Sequence, residues 1–204
     1  MIITISGTPG AGDTTAADAL GKELDYKVIK IGEMCRKLAE EKELEIEGFW
    51  KKQEENPKKL EEFNREIDKK QKKIALKQEN VVLNGKLSAY HLQNADLKIF
   101  LTADIEERAK RVLMRKKIGR KNYADKIDNG ENEEDEKLKP KEIKKQIERI
   151  KKREEKETKY WEKIYGYNYI ENKEKYNYIL DTTDKKPSEV INQIKEKIKE
   201  MENE

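Results

Sequence analysis

Cysteine is almost absent. Cys35 stands alone, so no internal disulfide can form, and a reducing cytoplasm is the expected compartment. With a single histidine as well, the chain has no Cys/His cluster that could cage zinc. No run of eighteen apolar residues occurs, which excludes a membrane-spanning helix. The apolar run near Met1 lacks a basic stretch before it and reads as a core strand rather than a leader. An excess of one charge is missing too. The 46 Lys and Arg are interleaved with 43 Asp and Glu, leaving a net charge of +3, which argues against a nucleic-acid partner. Apolar residues make up only 34% of the chain against 44% charged. A single domain over residues 1–204 must therefore have an economical core beneath long solvated helix faces.

What is present is concentrated at the start. Ile2 to Ile5 reads as a buried strand, Gly7 to Gly12 as a glycine-rich turn, and a helix opens at Thr14 and Thr15. Strand, glycine loop and helix form the context of a phosphate-binding loop. There the glycines let backbone N–H groups approach a polyphosphate and the helix N-terminus adds its dipole. Gly7, Gly12 and Thr14 fit the G-x-x-x-x-G-K-[ST] spacing, but Asp13 stands where lysine belongs. Three readings stay open for Asp13. The loop binds ATP with other cations replacing the lysine, the chain is a binding remnant without turnover, or Asp13 is simply an acidic residue content at a helix N-terminus.

Further along, Tyr26–Ile31 reads as a strand ended by Gly32, and residues 33–42 as a helix. Glu45–Gln53 reads as a short helix closed at Asn56-Pro57. A long helix follows from Pro57 to Gln78, with Leu60, Phe63, Ile67, Ile74 and Ala75 as its stripe. Val81–Leu83 and Leu97–Leu101 are continuous apolar strands, and alternation of such strands with helices predicts a parallel sheet covered on both faces. Asp104 is placed to cap a helix to about Lys117 carrying Ala109, Val112 and Leu113 inward. Residues 125–136 have almost no apolar content and read as a mobile acidic loop. Pro140 opens a long charged helix to about Ile164, Tyr178–Leu180 is a last strand, and Pro187–Met201 a closing helix.

Three further groups could carry chemistry. Asn84-Gly85-Lys86 follows a strand's carboxyl end, where ligands of parallel sheets gather, and Gly85 would let a ligand approach the backbone. Arg36 sits one turn into the helix after the second strand and could reach an anion. Arg149 and Arg153, at i and i+4, share a helix face and could close over a transferring phosphoryl group. Each of these is equally an ordinary turn or a solvated salt-bridged helix. Cys35, His91, Trp50 and Trp161 read as structural.

Taken in order, these stretches resemble the archaeal-type cytidylate kinases, within the P-loop nucleoside monophosphate kinases. The resemblance runs through residues 1–12 and through Ile31-Gly-Glu-Met-Cys-Arg-Lys-Leu-Ala39, whose arginine in the family contacts a nucleotide phosphate and is Arg36 here. It continues in Glu66-Ile-Asp-Lys-Lys-Gln71, Asn80-Val-Val-Leu-Asn-Gly-Lys-Leu87 and Ala95-Asp-Leu-Lys-Ile99, with Arg108 and Arg111 in the next helix. Arg153-Glu154 with Tyr160 and Tyr165-Gly166 resembles the lid helix. Departures are Asp13 for lysine, Asn84 for glutamate, Lys86 for arginine and, in the lid helix, Lys159 for arginine, together with residues 119–138, which look like an insert in a shorter lid.

The resemblance implies an α/β fold of three layers, the P-loop kinase fold. A parallel five-stranded sheet has helices on both faces and a helical lid. Residues 32–79 would bind the monophosphate and 115–155 would form the lid. The implied activity is ATP-dependent phosphorylation of CMP or dCMP to the diphosphate, with ATP and Mg²⁺. Gly7, Thr8, Pro9, Gly10, Ala11, Gly12, Asp13, Thr14 and Thr15 would hold ATP, and Thr14 the metal. Arg36, Lys86 and, for the base, Asp68 would hold the acceptor. Arg149 and Arg153 would stabilise the transferring group. A monomer acting on small nucleotides is expected. Two other functions remain open, a kinase-derived nucleotide-binding protein without turnover and a P-loop ATPase acting on RNA or ribosome assembly.

Overall fold

A computed structural model describes residues 1–43, 57–129 and 138–203. The expected short helix over residues 45–53 lies outside them. Five short strands, β1 (Ile2–Gly7), β2 (Lys27–Lys30), β3 (Val81–Asn84), β4 (Leu97–Thr102) and β5 (Tyr178–Asp181), form one sheet in the order β2-β3-β1-β4-β5. Every pairing is parallel, with Ile3 opposite both Val82 and Leu97. Such pairing needs crossovers, and helices supply them: α1 (Asp13–Leu24), α2 (Ile31–Glu41), α3 (Pro57–Lys77), α4 (Ser88–His91), α5 (Ile105–Ile118), α6 (Arg120–Asp128), α7 (Pro140–Tyr165) and α8 (Pro187–Glu202).

Both sheet faces are covered, as continuous apolar strands require. On one face Ile3, Ile5, Leu97, Ile99 and Leu101 pack with Ala17 and Leu20 of α1 and Ile194 and Ile198 of α8. On the other, Val81 and Leu83 pack with Ala75 of α3, and Phe100 with Tyr167, Tyr169 and Tyr176. Central β1 lies between β3 and β4, so the loop leaving it emerges at the carboxyl ends of three adjacent strands. This is the position where parallel sheets bind ligands.

Several boundaries differ from expectation. α2 starts at Ile31, so Gly32 lies in its first turn instead of ending β2. Asp104 occupies the N-cap position of α5, but its side chain makes no capping hydrogen bond, and the buried residues are Arg108, Ala109 and Met114, with Val112 and Leu113 only half-buried. Of the expected acidic loop, residues 125–128 are helical and 130–136 lie outside the described residues. Residues 120–128 are helical, because Tyr123, Ala124 and Ile127 form an apolar side to a segment whose other faces are charged.

Candidate active site

The loop after β1 is shaped by Gly10 and Gly12, both left-handed with φ of 95° and 97°. A Cβ at Gly10 would lie 2.9 Å from the Arg108 Cβ and carbonyl, so the loop is pressed against α5. At Gly12 a Cβ would meet nothing within 4 Å, which leaves open space where the loop turns into α1. Thr8 Oγ1 is buried and has no hydrogen-bond partner among the described residues. Loop and sheet are joined by Thr182, whose hydroxyl lies 3.0 Å from the carbonyls of Ala11 and Thr102 and accepts from Arg111 Nη1 at 2.9 Å. A glycine-shaped loop that opens onto free space at Gly12, just before the N-terminus of α1, suits a phosphate, although the Thr8 and Ala11 N–H groups are already bonded to the Leu101 and Thr8 carbonyls.

Asp13 is the first residue of α1, one earlier than the predicted start. Its carboxylate accepts a hydrogen bond of 2.9 Å from Asn84 Nδ2, and the same amide lies 3.1 Å from the Ile5 carbonyl. The two departures from the expected pattern are thus bonded to each other. Where the resemblance expects a lysine beside a glutamate, this chain has a carboxylate beside an amide donor. Either combination satisfies the pair; the charge on the loop is what changes.

Cations stand close by. Lys86 leaves the turn after β3 and forms an ion pair with Glu157 of α7. Its ammonium lies 5.3 Å from the centroid of the Tyr169 ring. Arg153 Nε donates to the other Glu157 oxygen at 2.8 Å, and Tyr169 Oη donates to the carboxylate at 3.0 Å. Burial works to raise the Glu157 carboxyl, but the charges of Lys86 and Arg153 outweigh it and hold the group below the ordinary carboxylate range. Burial also pulls the Lys86 ammonium below its usual range, although Glu157 and Asp13 oppose this. Asp13 acts electrostatically on Arg153 as well. Asp13, Asn84, Lys86, Arg153, Glu157 and Tyr169 therefore make one electrostatic cluster beside the loop.

Other predicted residues are placed differently. Arg36 is exposed, its guanidinium 3.8 Å from where a Gly32 Cβ would stand, and no ion pair of it occurs among the described residues. Arg149 is exposed and stands apart from the Glu157 network that takes in Arg153. Gly85 serves packing rather than ligand approach, since a Cβ there would fall 2.6 Å from Ile31 and 2.7 Å from Ser88 Oγ. Asp68 is enclosed. Tyr165 donates to it, Gln71 Nε2 lies 3.3 Å away, and His91 Nε2 lies 2.9 Å away with its side chain only 4% exposed. Next to it the Cys35 thiol is pushed up to about 11 by burial and by the Asp68 charge. His91, read from sequence as structural or incidental, is thus a neighbour of Asp68.

A profile of the cytidylate kinase-like family matches residues 2–141, more than half of the chain. The chain belongs to this family. The cytidylate kinase of Archaeoglobus fulgidus is 38% identical over 115 residues, covering 56% of this chain and 62% of that protein. That of Thermococcus kodakarensis is 37% identical over 118 residues, 58% of each chain. The matches thus span about 60% of these curated relatives' length. A shikimate kinase from Bacteroides thetaiotaomicron superposes over 98% of both chains with a TM-score of 0.58 at 15% identity, which shows a shared P-loop kinase fold.

Within this cytidylate kinase-like chain, the profile match ends at the start of α7, so Arg153, Glu157 and Tyr169 lie outside it. Sequence reading missed Thr182 and Glu157 as site residues. Thr182 belongs to no motif, and Glu157, although it lies in the lid-helix stretch that the resemblance covers, stands out only when the fold brings Lys86 and Tyr169 to it. Arg108 was noted only as a match. It is buried, lies 3.4 Å from the Pro9 carbonyl behind the loop and pairs with Glu154 of α7.

Proposed function

We propose that the protein transfers a phosphoryl group from ATP to a nucleoside monophosphate, CMP or dCMP. The carrying observation is the open glycine loop flanked by Lys86 and Arg153, two cations from outside the loop. Backbone N–H groups of residues 7–15 would hold the donor's phosphates. Lys86 would supply the cation that the loop lacks and, with the exposed Arg36, orient the acceptor phosphate. Arg153, joined by Arg149 as α7 closes, would stabilise charge on the transferring group. Asp68, which accepts from Tyr165 and lies beside His91, would meet the acceptor base. Catalysis of this kind rests on positioning and charge, with no covalent intermediate.

A Mg²⁺ ion bound with the donor would supply charge neutralisation at the phosphates. Thr14, half-buried in the first turn of α1, is the residue placed to hold it. No group of three or more His, Cys, Asp or Glu that could cage a metal occurs among the described residues. That fits an ion that keeps its waters and takes few protein ligands besides phosphates. Asn84 engages one oxygen of Asp13, while the second oxygen and the negative charge stay at the start of α1, where Lys86 and Arg153 would have to offset them. We take the protein to act as a monomer on small nucleotides.

The Asp13–Asn84 bond also favours a second reading, a nucleotide-binding protein without turnover. ADP production coupled to CMP, dCMP, UMP and AMP separates the two. The expected outcome is turnover that depends on CMP or dCMP. ATP binding with no turnover on any acceptor would leave the binding protein. Hydrolysis stimulated by RNA without a nucleotide acceptor would point to an ATPase instead.

A further inference from the structure

A cavity of about 910 Å³ runs from the glycine loop to the first turn of α8, within the size range of small-molecule sites. One end is formed by Gly10, Gly12 and Thr15, where phosphates would lie. Beyond the loop the lining is mixed, with charged Arg111 and Arg115 of α5 and the segment 184–186 beside an apolar side made by Val190 and Ile191 of α8. The opposite wall is α6, which contributes Tyr123, Ala124 and Ile127. These three residues are half-buried, while Asn122, Asp125 and Lys126 on the same helix face solvent. The apolar side of α6 thus lines a space instead of joining the packed core.

The helix is also fixed in place. Asp128, its last residue, accepts a 2.9 Å hydrogen bond from the Ser188 N–H in the first turn of α8. This satisfies one of the donors that a helix start leaves without an internal partner. A slot that begins at the glycine loop, with apolar surfaces on α6 and α8 and charged side chains from α5 and residues 184–186, suits a phosphate-bearing molecule with a flat ring that carries a few polar edges.

We propose that α6 is the outer wall of the pocket for the base of the phosphate donor, with the Tyr123 ring and Ile127 against that base. The proposal rests on the nucleotide reading above and deepens it. It places donor-base recognition in residues 120–128, within the stretch that departs from the shorter lid the resemblance implies. Asp128 acts as a positioning residue, holding the wall against α8.

The test is calorimetric binding, without acceptor, of a non-hydrolysable ATP analogue and of inorganic tripolyphosphate, which has no base. Wild type, Tyr123→Ala, Tyr123→Phe and Asp128→Ala are compared. Tyr123→Ala and Asp128→Ala are expected to weaken the ATP analogue about tenfold, the scale of losing one base-stacking contact. Tyr123→Phe keeps the ring and should bind as wild type does, and tripolyphosphate should bind all four proteins alike. Unchanged ATP-analogue affinity in Tyr123→Ala and Asp128→Ala, or an equal loss for tripolyphosphate, overturns the proposal. Failure of wild type to bind either ligand overturns the nucleotide reading itself, and the proposal with it.

Discussion

At the scale of single residues, Asp13 takes its meaning from Asn84. Read alone, a carboxylate in a phosphate loop looks like damage; bonded to an amide from β3, it is half of a matched pair. The pair makes the two positions non-additive. Asn84→Glu alone would set two carboxylates against each other, destabilising the fold by about 2 kcal/mol at neutral pH. One of the two would then hold its proton to an unusually high pH. A carboxyl raised in the folded state binds a proton that the unfolded chain has released, so the stability of this variant should fall as pH rises from 5 to 7.5. Adding Asp13→Lys should restore the loss, as urea denaturation of both variants would show. Equal stability of Asn84→Glu at the two pH values would mean that the side chains do not interact. The pairing was not legible in the sequence because the partners are 71 residues apart and neither position fits its motif.

At the scale of elements, α7 joins the parts of the site. Asn64 of α3 donates to Tyr160, Arg108 of α5 pairs with Glu154, and Lys86 beyond β3 pairs with Glu157. All three contacts fall within two turns of one helix. From sequence this stretch reads as a solvated, salt-bridged helix, and much of its surface is that. Glu154 and Glu157 become distinctive only through the cations that the sheet brings to them. Glu157→Gln removes the carboxylate that Lys86 and Arg153 share and should cost about 1–2 kcal/mol at pH 7, less than breaking a fully buried pair because Lys86 and Glu157 are partly exposed. Since Glu157 is held below its ordinary 4.5 in the fold, its contribution is complete above that value and is lost as pH falls through the lower folded value. Thermal unfolding should therefore separate wild type from Glu157→Gln at pH 7, with the gap narrowing as the pH falls below 4.5. A gap that stays constant over this range would rule out an ionised Glu157 as the source.

At the scale of the whole molecule, the parallel sheet was legible because continuous apolar runs such as Val81–Leu83 and Leu97–Leu101 leave little alternative to strands covered on both faces. The helical start of the insert was hidden because its few apolar residues sit among charges and serve a cavity more than the core. The glycine loop between β1 and α1 was legible from spacing alone, whereas the cations beside it arrive from the turn after β3 and from α7. If α7 closes over the site, Arg153→Ala should lower kcat by orders of magnitude with little change in ATP affinity, measured by steady-state kinetics beside direct binding. An unchanged kcat would remove the arginine from the reaction. The two ion pairs of α7 carry one more consequence. Glu154 and Glu157 lie about one turn apart, the first tied to Arg108 behind the loop and the second to Lys86, the residue proposed to meet the acceptor. A phosphate that drew Lys86 away from Glu157 would disturb the same helix that braces the loop. The affinities for the two nucleotides are then thermodynamically linked, and reciprocity requires each to change the other by the same factor.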